Sequence, residues 1–199
     1  DYEPVFSADG KHLFFLSDRD FNRTQSSFEF NYVYTKAARV YVAALAPGTS
    51  ALFPEKSDEE RGDKPDPSGD AKSEETVKGR KAGDRGGKKE APKKDPEPVV
   101  VSPDGFTSRT IALPGLKADD LRSLAASSEA LFYLKGDDGP GTLYRYDLKD
   151  RKEEKVADGV SGYDLSANGK RILVRAGKDW SIVDAKAGAK LADGKLDLY

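Results

Sequence analysis

The sequence predicts an all-β chain: a partial β-propeller of about three four-stranded antiparallel blades, interrupted by a long insertion expected to be disordered. Three observations carry this prediction. A strand-turn-strand pattern recurs at 6–15, 124–133 and 165–174. The second and third copies begin 41 residues apart, inside the roughly 40 to 45 residue period of a four-stranded blade. Short β-branched and aromatic runs, set off by polar or glycine-bearing turns, fill the intervals between copies. A blade cannot cover both of its faces alone, so a chain of this kind surrounds or presents something.

The first copy gives strands at 3–7 and 12–16 around Asp9-Gly10, which supplies the positive φ that a tight hairpin needs. A third strand at 39–45 is closed by Pro47-Gly48, and a fourth at 108–113 follows Pro103-Asp104-Gly105. The second unit reads as strands 121–125, 130–134, 143–148 and 152–156. The third reads as 162–165, 171–174, 180–183 and a last strand at 190–192. The expected division is a first blade from 1–49 and 99–115, a second over 116–160 and a third over 161–199. Asp147 and Asp184 close the third strands of the last two units, where an aspartate accepts backbone hydrogen bonds from the turn.

The first and second copies start 118 residues apart, so insertions must account for the excess over one period. Between Pro54 and Pro98 the sole aliphatic residue larger than alanine is Val77, and there is no aromatic. Such a segment cannot offset its own ordering entropy by burial, and a disordered polar loop is expected at 54–98. The second insertion, 18–36, carries Phe21, Phe28, Phe30, Tyr32 and Tyr34. Two roles are open to it: packing over the edge of its own blade, or docking a neighbouring domain or subunit.

Composition excludes several chemistries. With no cysteine there are no disulfides, thiolate metal sites or cysteine nucleophile. His12 is the single histidine and is expected to be exposed just after a turn. With no second one, neither a histidine metal cluster nor a nucleophile-base pair is expected, and no cofactor or metal is called for. Net charge is −2, and the basic half of the 54–98 loop sits beside an acidic half without interleaved aromatics, so no nucleic-acid partner is expected. No run approaches the roughly 18 apolar residues of a membrane span. Trp180, on a predicted strand, is expected in the core.

In propeller order the first strand of each blade lines the central channel, which makes Glu3, Arg122, Tyr163 and Asp164 candidate lining residues. Strand faces alternate, so packing against the next blade is the competing role for these positions.

With these residues set out, 4–20 resembles the WD40-like repeat of TolB and tricorn propellers. More specifically, Asp20-Phe21-Asn22 and Ser27-Phe28-Glu29-Phe30-Asn31-Tyr32-Val33-Tyr34-Thr35-Lys36 resemble the second propeller of tricorn-like serine peptidases of the S41 class. Lys56-Ser57-Asp58-Glu59, Asp104-Gly105-Phe106 with Arg109, Ala112-Leu113-Pro114 and Asp193-Gly194-Lys195-Leu196-Asp197-Leu198 extend the likeness. The resemblance implies the last blades of a seven-bladed propeller that guides or filters oligopeptides or unfolded polypeptides toward an active site in core domains of the same chain. It also implies a large homo-oligomer. Catalytic residues would lie in those other domains, and none is assigned here. An extracytoplasmic setting in a bacterium, the periplasm, is favoured over the cytoplasm. The alternative function is a TolB-like protein-binding platform without peptidase activity.

Overall fold

The turn chemistry shows most directly how sequence dictates shape. In the first copy the Ser7 hydroxyl donates to Asp9 at 2.6 Å and accepts the His12 amide at 2.9 Å, while Asp9 accepts the Lys11 amide at 3.1 Å. Gly10 supplies φ 68°, a value that side-chain-bearing residues rarely adopt. Ser166, Asn168, Lys170 and Arg171 repeat the same three bonds at 2.9, 3.1 and 2.9 Å, with Gly169 at φ 67°. The second copy lacks the Asp/Asn-Gly pair, and Ser127 alone accepts the Glu129 and Ala130 amides.

A computed structural model of the chain describes residues 1–19, 38–54, 98–136 and 139–198, with the main chain of 23–25 and 32–34. Among them are strands β1 (Tyr2–Phe6), β2 (His12–Ser17), β3 (Arg23–Gln25), β4 (Tyr32–Tyr34), β5 (Arg39–Ala44), β6 (Thr110–Ala112) and β7 (Leu121–Ala126). β8 (Ala130–Lys135), β9 (Gly141–Asp147), β10 (Lys152–Val160), β11 (Gly162–Leu165), β12 (Arg171–Ala176) and β13 (Asp179–Asp184) follow. They form antiparallel sheets in the orders β1-β2-β5-β6, β7-β8-β9-β10 and β11-β12-β13, with a small β3-β4 hairpin. The architecture is all-β and matches part of a propeller. Of the loop expected to be disordered, 54–98, residues 55–97 lie outside the described residues.

Strand alternation lets the second sheet serve two cores. Leu131 and Tyr133 of β8, with Tyr146 of β9, pack with Phe14, Leu16, Val40 and Val42 of the first sheet. Ala130, Phe132 and Leu134, one step out of phase, pack with Ile172, Val174 and Val183 of the third. Each fully buried Leu, Phe or Val contributes about 1.5–3 kcal/mol relative to exposure. The far face of the first sheet carries its own apolar group, Phe15, Tyr41 and Ala43 with Leu13, Phe106 and Ala112. Arg19 caps it, its guanidinium 5.3 Å from the Phe15 ring and 4.8 Å from that of Tyr41, and held at 2.8 Å by both carboxylate oxygens of Asp1.

Four expectations need correction. The third sheet stops at three strands: the region expected to form its fourth becomes a 3-10 turn, Leu191–Gly194, with a single Ser181–Lys195 bridge. The run from Ala185 to Gly194 is alanine- and glycine-rich, with little β-branched surface to pack on a sheet. Trp180 is half-buried outside the core, because Ser181 and Val183 take the inward alternation of β13. His12 is buried, 6% exposed, since it sits on the β2 face that carries Phe14 and Leu16. Asp147 accepts the Lys149 and Asp150 amides at 3.0 and 2.9 Å as expected, whereas the Asp184 carboxylate pairs with Arg171 and Lys186 at 3.0 and 2.9 Å.

Candidate functional site

β1, β7 and β11 are the edge strands of their sheets and lie side by side. Two of them are bulged at the same place. The β1–β2 register shifts between Tyr2 and Val5, and the β7–β8 register between Arg122 and Ala125, so two residues oppose one. The bulges put Glu3 at φ 49° and Ser123 at φ 59°, left-handed values that cost a non-glycine residue roughly 1–3 kcal/mol unless its surroundings hold it. β11 pairs with β12 without a shift and carries Tyr163 opposite Val174.

Those surroundings are the neighbouring sheets. Oε2 of Glu3 accepts the Leu124 amide at 2.9 Å. The Tyr163 hydroxyl donates to the Ser123 carbonyl. Ser123 C=O and Leu124 N–H belong to one peptide group, so the first sheet holds its nitrogen end and the third its oxygen end. The bulge frees this peptide from its own ladder, and without such partners two polar groups would go unmatched.

Burial, then the nearby Glu3 and Asp164 carboxylates, pushes the Tyr163 hydroxyl far above the usual tyrosine range. It stays protonated at ordinary pH and acts as a donor, which suits a positioning group and not a base or nucleophile. Arg122 turns to its own sheet, donating through Nε to the Gly136 carbonyl at 3.2 Å and through Nη2 to that of Gly139. Asp164 is exposed. The sequence-derived rim residues therefore divide: Glu3 and Tyr163 join sheets, Arg122 secures a turn, and Asp164 meets solvent. The side chains of Phe21, Phe28, Phe30, Tyr32 and Tyr34 lie outside the described residues.

Two further polar clusters join elements in ways that residue spacing does not display. Glu153 Oε1 takes both the Tyr133 hydroxyl and the Lys135 ammonium at 2.6 Å, and that ammonium lies 4.7 Å from the Tyr144 ring. Arg109 binds the Ala44, Asp104 and Ser102 carbonyls at 3.0, 2.6 and 2.6 Å, tying the 102–105 turn to β5. Among the described residues no group of three or more His, Cys, Asp or Glu is placed to hold a metal, and no helix is long and apolar enough to cross a membrane.

Residues 1–186 match the family described as the tricorn protease second beta propeller domain. The chain is 25% identical over 190 residues to tricorn protease homolog 1 of Streptomyces coelicolor, covering 87% of this chain and 16% of that protein. It is 24% identical over 178 residues to the tricorn protease of Thermoplasma acidophilum, covering 88% and 14%. A crystal structure of the tricorn protease superposes with a TM-score of 0.59 at 19% identity, over 92% of this chain and 16% of that one. The chain thus spans about one sixth of the length of the relatives it matches.

Proposed function

The chain belongs to the tricorn protease second β-propeller family, and from that premise we propose that it is the non-catalytic part of a serine peptidase that guides or filters oligopeptides and unfolded polypeptides. Cleavage would take place in other domains of the same chain, within a homo-oligomer. The supporting observation is the joined inner edge, where one peptide group of β7 is held by Glu3 on one side and Tyr163 on the other. A passage for unfolded chain needs a wall whose strands keep their spacing. Cross-sheet hydrogen bonds at the inner strands supply that stiffness while leaving Asp164 and the Ser123 side chain exposed to whatever passes.

The test uses the full-length protein. Asp164→Lys and Ser123→Lys should change the relative cleavage of long cationic and long anionic unfolded substrates, and leave hydrolysis of short peptides unchanged. Identical substrate-length and charge preferences in wild type and variants would defeat the filtering role and leave a protein-binding platform as the reading.

A further inference from the structure

Asn168-Gly169 is the one Asn-Gly pair in the sequence, and it lies exposed in the turn between β11 and β12. Asn-Gly is the pair most open to spontaneous deamidation, because glycine offers its main-chain nitrogen to the preceding side chain without hindrance from a side chain of its own. The chemistry needs only water. The Gly169 nitrogen gives its proton to solvent and attacks Cγ of Asn168, the bond from Cγ to Nδ2 breaks, and ammonia leaves behind a five-membered imide. Water then opens the imide at one carbonyl or the other, giving aspartate or isoaspartate.

The folded turn opposes the first step at three points. The Gly169 N–H, whose nitrogen must become the nucleophile, donates to the Ser166 carbonyl at 2.8 Å. Oδ1 of Asn168 accepts the Ser166 hydroxyl at 2.9 Å and the Lys170 amide at 3.1 Å, which fixes the carboxamide in place. Gly169 is also packed against the turn between β7 and β8, where a methyl on it would lie 2.7 Å from Ser127 Cβ. Ring closure requires rotation about the side chain and main chain of residue 168, and that rotation breaks these contacts.

The first copy shows what the turn does with the product. Asp9 stands there in the place of Asn168, takes the Ser7 hydroxyl at 2.6 Å and the Lys11 amide at 3.1 Å, and precedes a glycine at φ 68° against 67° for Gly169. Both side-chain bonds of Asn168 fall on Oδ1, an acceptor that a carboxylate keeps. An aspartate at 168 therefore closes the turn again. Isoaspartate moves one carbon from the side chain into the main chain and displaces Gly169 from its seat on Ser127, so that product does not.

We propose that Asn168 is a spontaneous deamidation site that the folded turn keeps shut and whose aspartate product the turn accepts. Its conversion then records openings of the β11–β12 hairpin. Neither the site nor its chemistry depends on the peptide-handling reading above.

The experiment holds the full-length protein at one mildly alkaline pH, in native buffer or in urea, and follows the peptide containing Asn168 by mass spectrometry. Conversion in native buffer should be at least about tenfold slower than in urea, as an opening free energy of about 1.4 kcal/mol or more implies. Ser166→Ala removes the hydroxyl that holds both Asn168 Oδ1 and the Arg171 amide, and should raise the native rate several-fold. Tyr146→Phe, which loses a bond to the Pro114 carbonyl beside the first sheet, should leave that rate unchanged. Asn168→Asp should keep the wild-type melting midpoint. Equal wild-type rates in buffer and urea overturn the proposal whether or not Ser166→Ala folds. Equal acceleration by Ser166→Ala and Tyr146→Phe overturns it as well, by making whole-chain unfolding the route. A lowered midpoint for Asn168→Asp does so too, since the turn would then reject the product.

Discussion

The carboxylate of Glu3 and the amide of Leu124 meet at 2.9 Å across the boundary between the first and second sheets, although 121 positions separate them in sequence. The contact depends on two left-handed residues, Glu3 itself and Ser123 beside its target, so it joins two bulges as well as two sheets.

Removing that contact should cost more than an ordinary surface bond. Glu3→Ala leaves the Leu124 amide unmatched and is expected to lower stability by about 1–3 kcal/mol. Tyr163→Phe should act similarly through the Ser123 carbonyl. Because both bonds hold one peptide group, the double variant should lose less than the sum. Chemical denaturation of the four proteins measures this coupling, and strict additivity would separate the two bonds.

Alkaline pH should unfold the chain through its buried tyrosines. Burial, with a smaller contribution from Asp147, pushes the Tyr146 hydroxyl up to about 12 despite the opposing charge of Arg151. Burial and Glu153 push Tyr133 still higher. A hydroxyl whose folded-state value exceeds the unfolded value near 10 adds stability that is complete below pH 10 and is lost as pH rises toward 12. Tyr146→Phe should flatten that part of a stability-versus-pH curve, at the price of the 2.6 Å bond to the Pro114 carbonyl. An unchanged slope between pH 10 and 12 would count against the assignment.

The third turn is fitted against the second. A methyl at Gly169 would lie 2.7 Å from Ser127 Cβ, and the residue also holds φ 67°. Gly169→Ala should therefore lower stability by about 1–3 kcal/mol, more than Gly188→Ala, which bears the same positive-φ strain but has open space around it. Thermal melts of both variants check the difference.

The far face of the first sheet should make the isolated chain associate. Leu13, Phe15 and Phe106 occupy it, and Phe6 is 54% exposed. In the second and third sheets, the corresponding face of the second strand is covered by the preceding sheet. Light scattering should detect oligomers of the 199-residue chain, and Phe6→Lys should reduce them. A monodisperse monomer at high concentration would show that this face tolerates water.

Much of this fold was legible in the residues because its signals are local. Ser7, Asp9 and Gly10 announce their turn within a few positions, and Ser166, Asn168 and Gly169 announce it again. The missing fourth strand of the third sheet was harder to anticipate, since spacing by repeat overrode the poor β-forming composition before Gly194. The burial of His12 and the half-exposure of Trp180 turn on a one-residue alternation that a register settles and a sequence does not. Propeller order places Glu3 and Tyr163 at the rim, but the peptide they share is not visible in the residues. A bulge is a relation between two strands, and nothing in Arg122-Ser123-Leu124 alone marks it.

Pro4 gives this linkage a direction. In the first sheet the bulge peptide that corresponds to Ser123–Leu124 is Glu3–Pro4, and proline has no amide hydrogen to offer. A carboxylate placed against the first sheet as Glu3 is placed against the second would find no amide hydrogen there, so the Glu3–Leu124 bond has no counterpart at the bulge of β1. Any sheet set against the outer side of β1 would have to be held by contacts other than an amide at this bulge.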